Sequence, residues 1–272
     1  MAGNTFRFGV VAAAQEGGAK WRETARRAEE LGYSTLLSPD NLHLPTPTAS
    51  LAVAAAVTTE LRVGTFVFAS PLRTPRAAAW EAHSLSVLTD RRFEMGIGTG
   101  IPPMREAAAE LGLPYGTGPE RLAQVSDTIS HLRRLDGDAH TPVMVAAGGP
   151  KARRLAGERA DIVTLAGSVL ATRAEAAEHA AEIRSAAGGR QVELAMNIFV
   201  VGEEIPPWIR GFIGHDIETL VEHDSLTLLR GGPAAMAEEL QRRREELGVS
   251  YYSVNGAFLE DFAPVIARLA GC

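Results

Sequence analysis

Three short stretches carry the residues best placed to do chemistry: Asp40-Asn41-Leu42-His43, Arg92 to Gly100, and Ala146-Ala147-Gly148-Gly149-Pro150-Lys151. In the third, two glycines lead into a helix opened by proline. The unpaired N–H groups of a first helical turn, with the positive end of the helix dipole, make an anion site. Lys151, Arg153 and Arg154 add charge close by. The pattern suits a phosphate cradle at Gly148 and Gly149. A plain strand-to-helix turn with a solvated basic face is the simpler alternative, but two adjacent glycines are more than a turn needs. Gly167 and Ser168, past the next strand, could supply further donors. In the second stretch Phe93, Met95 and Ile97 alternate with smaller or polar residues, and Gly96, Gly98 and Gly100 remove side chains at every second position. Glycine in a strand marks close approach by a backbone or a ligand, and this spacing suggests a flat object against the strand end. In the first stretch, an extended chain would turn Asn41 and His43 to one side and Asp40 to the other. His43 is the histidine at a predicted strand end and the candidate for delivering a proton. Asn41 can hydrogen-bond but cannot act as an acid or base near neutral pH.

Other chemistries are poorly served. No Ser-His-Asp arrangement, carboxylate pair, HxH or HExxH spacing is evident, so hydrolysis and metal catalysis rank low. The single cysteine, Cys272, excludes an intrachain disulfide and a cysteine-cluster metal site. As the last residue it is expected to be frayed rather than catalytic. A net charge of -6 gives no electrostatic case for nucleic acid or an anionic membrane. No apolar run approaches bilayer length, and Met1 to Thr5 lacks a basic head and hydrophobic stretch, so a cytoplasmic location is expected.

The elements that must position these residues alternate along the chain. Strands are expected at Phe6 to Ala13, Ser34 to Ser38, Leu61 to Ala69, the Arg92 stretch, Pro142 to Ala147, Asp161 to Ala166, Val192 to Val201 and Ser250 to Asn255. Between them fall helices with apolar residues at three- and four-residue spacing, such as Trp21, Ala25, Ala28 and Leu31, or Leu122, Val125, Ile129 and Leu132. Helix two is expected over Thr48 to Thr59, helix three over Pro75 to Leu88 and helix seven over Pro233 to Leu247. Residues 202–230 are the least regular part, a candidate lid in which Trp208 to His223 is expected to form an extra helix. Alternation implies a parallel sheet with right-handed crossovers. Eight such units in 272 residues, without a GxGxxG turn after the first strand, favour a single-domain (β/α)8 TIM barrel over an open Rossmann sheet. In a barrel the chemistry sits at the C-terminal strand ends, where all three stretches fall.

The chain also resembles a known family. Trp21 to Asp40, Leu61-Arg62-Val63-Gly64-Thr65, Arg73-Thr74-Pro75, Arg92 to Gly100, and Ala146 to Pro150 followed by Ala160-Asp161-Ile162-Val163 are similar, in order and spacing, to the bacterial luciferase-like oxidoreductases. The nearer resemblance is to the branch that uses the deazaflavin coenzyme F420, including the glucose-6-phosphate dehydrogenase type. It covers the chain well to about Gly167 and only loosely beyond. The resemblance implies that Asp40 and Asn41 border the deazaflavin ring. It implies that Thr65-Phe66-Val67 carries a strand-three bulge with a cis Phe66–Val67 peptide behind the ring. Thr99 and Gly100 would contact the ring or its ribityl chain, and Gly148 and Gly149 would hold the phosphate. A homodimer through the alanine-rich second helix and its neighbour is implied as well.

Two departures matter. The family commonly has histidine where Asn41 stands, and the sugar-phosphate branch has glutamate where Ile101 stands. Both changes leave the site less able to move protons and disfavour sugar-phosphate oxidation. The expected function is therefore hydride transfer between F420 and a small, more apolar substrate, with Phe66, Phe68, Ile101 and Trp208 lining its pocket. An FMN-dependent monooxygenase and a flavin-binding homologue that has lost catalysis are the alternatives.

Overall fold

The computed structural model describes residues 5–271, so Cys272 lies outside the described residues. The barrel strands are β1 (Arg7–Val11), β2 (Thr35–Ser38), β3 (Arg62–Thr65) continued by β4 (Phe68–Ala69), β5 (Phe93–Gly98), β6 (Val143–Ala147), β7 (Ile162–Leu165) and β8 (Glu193–Ile198). After β9 (Val200–Val201) and β10 (Leu228–Leu229), β11 (Val249–Asn255) completes them. They pair in the order β3-β2-β1-β11-β8-β7-β6-β5-β4, all parallel, and an additional β3–β5 pairing closes the sheet. The architecture is the expected (β/α)8 barrel. The strands β9 and β10 form a separate parallel pair.

The surrounding helices are α1 (Gly18–Glu30), α2 (Pro47–Ala55), α3 (Pro75–Leu88), α4 (Met104–Glu110), α5 (Gly118–Asp136), α6 (Pro150–Arg159), α7 (Arg173–Ala187), α8 (Pro207–Ile213), α9 (Ile217–Glu222), α10 (Pro233–Leu247) and α11 (Leu259–Leu269). Their apolar stripes are buried as the spacing predicts: Trp21, Ala25 and Ala28 on α1, and Val125, Ile129 and Leu132 on α5. Capping boxes at Thr117–Glu120 and Thr172–Glu175 satisfy the first-turn amides of α5 and α7. The largest apolar cluster packs strands against this helical ring.

Three boundaries differ from expectation, each for a local reason. The second helix ends at Ala55, not Thr59, because the chain leaves it to reach Glu29. That carboxylate accepts the N–H groups of Thr59, Glu60 and Leu61 at 2.8, 2.7 and 2.8 Å. The expected Trp208–His223 helix is two. Gly214, at φ 75°, ends α8 in the left-handed region, and the Asp216 carboxylate caps α9 through the Thr219 N–H at 2.9 Å. Strand seven breaks at Phe199, where the N–H groups of Phe199 and Val200 both turn to the Thr227 carbonyl.

The N-terminal end of the barrel is closed by charge. Arg7 on β1 donates to Glu193 on β8 at 2.7 Å and to Glu94 on β5, and Arg62 on β3 donates to the same Glu94 oxygen at 2.5 Å. Arg7 also lies 4.4 Å over the Tyr251 ring. Burial pushes the Glu193 carboxyl above its ordinary range, with the Arg7 guanidinium opposing. Above this network, Met144, Ile162, Ala195 and Tyr251 fill the barrel interior, with Phe66 packed on them. The floor of any site at the other end is therefore apolar and closed.

Candidate active site

The second stretch acquires a physical explanation from the strand beside it. Gly64 pairs with Glu94, and Phe68 pairs with Ile97. Three residues, Thr65, Phe66 and Val67, therefore stand opposite two, Met95 and Gly96. This is a bulge of one extra residue, and the Phe66–Val67 peptide within it is cis. The bulge leans onto β5. A Cβ at Gly96 would overlap the Thr65 carbonyl oxygen, and one at Gly98 would meet Val67 Cγ2 at 3.1 Å and Ala146 Cβ at 3.3 Å. At Gly100, φ is 73° and a Cβ would meet the Pro71 ring at 3.2 Å. The flat object expected against these glycines is thus the chain's own bulge and loop, not a ligand. Thr65 is buried, its hydroxyl donating to the Gly96 carbonyl at 2.7 Å. The Thr99 carbonyl accepts from Arg121 Nε at 2.9 Å, and Thr99 and Gly100 are half-exposed.

The third stretch separates into a required glycine and a spare one. Ala147 and Leu165 stand side by side in register, so the loops leaving β6 and β7 adjoin. A Cβ at Gly148 would come within 2.7 Å of the Ala166 carbonyl oxygen, so packing alone demands glycine there. Gly149 is the N-cap of α6 at φ -95°, and a Cβ on it would meet nothing within 4 Å. Gly167 is nearly as free, its nearest neighbour being Ala171 Cβ at 3.7 Å. Gly148, Gly149, Gly167 and Ser168 are all exposed. Ser168 uses its hydroxyl to accept the Leu170 N–H at 3.2 Å. The basic cluster is thinner than the sequence suggests. Arg153 is buried, donating to the Gly148 carbonyl and to Glu182, and Arg154 pairs with Glu158 at 3.1 Å. Lys151 makes no ion pair among the described residues. Arg153 thus fixes the glycine loop from beneath instead of offering charge to a ligand.

The first stretch is a turn, which corrects the extended geometry expected of it. Asn41 Oδ1 accepts the His43 N–H at 2.8 Å, and the Asn41 carbonyl accepts the Leu44 N–H at 3.1 Å. His43 is exposed at its tip, and its ring makes no hydrogen bond among the described residues. Asp40 is turned inward. Its carboxylate accepts from Arg73 at 2.5 and 3.1 Å and from the Ala69 N–H at 2.9 Å, tying β2's exit to β4. Burial would lower the Arg73 guanidinium, but Asp40 outweighs it and holds Arg73 above its ordinary value. Arg73 also covers the Phe68 ring at 4.2 Å.

A cavity of about 1300 Å³ opens at the C-terminal ends of β1, β2, β8 and β11 and continues across α1. Of the predicted site residues, Asn41 and Phe66 line it. Asp40, His43, Thr65, Val67, Thr99, Gly100, Gly148, Gly149, Gly167 and Ser168 do not, the glycine loops standing across the mouth on β6 and β7. Of the four residues expected in the substrate pocket, Phe66 and Trp208 are there. Phe68 is buried beneath Arg73, and Ile101 is exposed outside the cavity. The sequence reading missed Asn197, Asn255, Phe199 and Phe212, all lining residues. The irregular segment contributes one wall through α8, whose Ile209 and Ile213 are buried while Trp208 and Phe212 stay exposed. Among the described residues no group of three His, Cys, Asp or Glu could hold a metal ion, and no helix is long and apolar enough to cross a membrane.

Comparison with known proteins agrees with this fold. The family model for luciferase-like monooxygenases matches residues 5–204. An F420-dependent glucose-6-phosphate dehydrogenase of Intrasporangium calvum is 30% identical over 166 residues, 50% of each chain. The chain spans about half the length of the curated relatives it matches. Among solved structures, an F420-dependent secondary alcohol dehydrogenase in complex with an F420-acetone adduct superposes with a TM-score of 0.77 at 15% identity, covering 98% of both chains. The oxygenating constituent of 3,6-diketocamphane monooxygenase from Pseudomonas putida, in complex with FMN, gives 0.75 at 16% identity, covering 96% of this chain and 94% of that one. At such identities the structural likeness is one of fold. With a family model matched from the first barrel strand past the eighth-numbered one, this chain belongs to the luciferase-like monooxygenase family.

Proposed function

We propose that the chain is an F420-dependent oxidoreductase acting on a small, largely apolar organic molecule. The observation that carries this reading is the pair of spare glycines, Gly149 and Gly167, exposed on adjoining loops where neither backbone conformation nor packing requires glycine. Space left open beside a helix N-terminus suits a phosphate. The phosphate would be held by Gly148, Gly149, Gly167 and Ser168, with the ring reaching towards Thr99, Gly100 and the Thr65-Phe66-Val67 bulge. When bound, the deazaflavin supplies hydride chemistry. The chain's own residues orient and exclude water. Phe66 forms part of the cavity's apolar floor, and Asp40 holds the strand that follows the bulge by accepting the Ala69 N–H. Asn41, not His43, faces the cavity, so proton exchange there falls to solvent.

An absorbance titration with F420, and separately with FMN, tests the coenzyme assignment; saturable F420 binding is expected. Gly149→Asp sharpens the test because its two effects have opposite signs. Aspartate is a better N-cap than glycine, so stability is unchanged or slightly raised. The added charge opposes a phosphate, so F420 affinity falls about tenfold or more. Undiminished affinity in that variant would remove the phosphate from this rim. F420 bound without hydride transfer to any acceptor would favour the catalytically degenerate reading.

We also infer a homodimer through α2 and α3. Trp80 is 67% exposed and Leu88 77% exposed on α3, with Val87 alongside and Val53 exposed on α2. Large exposed apolar side chains on two neighbouring helices suit an interface between copies. Sedimentation should give a dimer for the native chain and a monomer for Trp80→Glu. A native chain that sediments as a monomer at micromolar concentration rules the interface out.

A further inference from the structure

Four carboxamides line the cavity: Gln15, exposed on the loop after β1, and Asn41, Asn197 and Asn255 at the exits of β2, β8 and β11. Strand register explains where two of them come from. Tyr251 and Ala195 pair across β11 and β8 and face the barrel interior. One alternation further on, Ser253 pairs with Asn197, and one further still Asn255 ends β11 opposite Val11. Asn197 and Asn255 therefore stand on the inward face, directly above the apolar floor. Asn41 joins them from the turn after β2.

The three asparagine amides are wired in the same sense. Asn41 Oδ1 accepts the His43 N–H at 2.8 Å, Asn255 Oδ1 accepts the Ala257 N–H at 2.9 Å, and Asn197 Oδ1 accepts the Ser253 hydroxyl at 2.9 Å. Two of these partners are backbone N–H groups, which fixes which end of the amide is oxygen; the reverse would set donor against donor. Among the described residues no acceptor takes a hydrogen bond from any of the three NH2 groups. The chain has thus engaged the acceptor half of each amide and left the donor half over. Around them the wall is apolar, with Phe66, Phe199, Trp208 and Phe212. The charged lining residues lie on the exposed outer reach, where Arg27 pairs with Glu260 and Lys20 with Glu23.

We propose that this half of the mouth binds a neutral, largely apolar carbonyl compound, whose oxygen, with its two lone pairs, accepts hydrogen bonds from two of the three side-chain amides of Asn41, Asn197 and Asn255. Describing that compound as the substrate rests on the oxidoreductase reading above; the recognition itself needs only this chain. A hydrocarbon of the same shape leaves the donors unmet, at a cost that separates it from a ketone.

Calorimetric titration of the coenzyme-free protein with 4-phenylcyclohexanone and with phenylcyclohexane tests this directly. The ketone is expected to bind about tenfold or more tightly than the hydrocarbon. The variants Asn41→Asp, Asn197→Asp and Asn255→Asp each keep the oxygen that accepts the structural hydrogen bond and lose the NH2. Measured at about pH 8, where an aspartate is ionised, at least two of the three should bind the ketone about tenfold more weakly. Their hydrocarbon affinity should fall less than their ketone affinity does. Equal affinity for the two probes, no ketone binding, or a ketone loss in fewer than two variants overturns the proposal. Those outcomes leave the coenzyme titration untouched, just as a failed coenzyme titration leaves ketone recognition standing.

Discussion

Replacing Gly96 by alanine is expected to lower stability by about 3 kcal/mol, at the upper end of overpacking costs. The reason is backbone against backbone. The new methyl would overlap the Thr65 carbonyl, which belongs to a bulge rather than to a side chain that can swing away. Nor can the two strands separate, because the Thr65 hydroxyl holds the Gly96 carbonyl at 2.7 Å. Gly98→Ala meets only the side chains of Val67 and Ala146, at 3.1 and 3.3 Å, and should cost about 1 kcal/mol. Urea unfolding of both variants would measure the difference. A Gly96→Ala protein as stable as the native one would show that the bulge does not lean on β5 as described. Because the same bulge carries Phe66, the loss should extend to the site: any Gly96→Ala protein that folds should have an altered cavity floor.

Glu94→Ala is expected to cost about 3–5 kcal/mol, the range for breaking a buried ion pair from one side. The Glu94 side chain is 3% exposed, and one of its oxygens serves both Arg7 and Arg62. Removing it leaves the Arg7 and Arg62 guanidinium groups, 24% and 30% exposed, without the carboxylate they share, with Glu193 able to answer only Arg7. The exposed Arg27–Glu260 pair is the natural control, since Glu260→Ala removes a solvated contact and should change little. The network lies at the opposite end of the barrel from the mouth. A folded Glu94→Ala protein, kept below its lowered unfolding temperature, should therefore bind ligands with native affinity. Unfolding midpoints that match between Glu94→Ala and Glu260→Ala would contradict the assignment.

Much of the barrel is legible in the sequence because its signals are local. Proline at the first turn and a left-handed Gly248 beyond the last residue bracket α10 at Pro233–Leu247 as expected, and Pro75 opens α3 in the same way. The misplaced boundaries depend on partners distant in the chain. Glu29 draws the end of helix two away, and the Thr227 carbonyl splits strand seven. The site was legible by position more than by role. Asp40 stands at a strand exit, but its engagement with Arg73 is a tertiary fact. The glycines of β5 announce close approach, yet what approaches is a segment from the preceding strand. Asn197 and Asn255 are ordinary residues along the chain, and only the pairing of β8 with β11 sets them on one wall.

The sealed lower end of the barrel has a kinetic corollary. With arginines and carboxylates knotted beneath and Tyr251 stoppering the bore, no back exit exists among the described residues. On the proposed function, coenzyme and substrate would both come and go through that mouth.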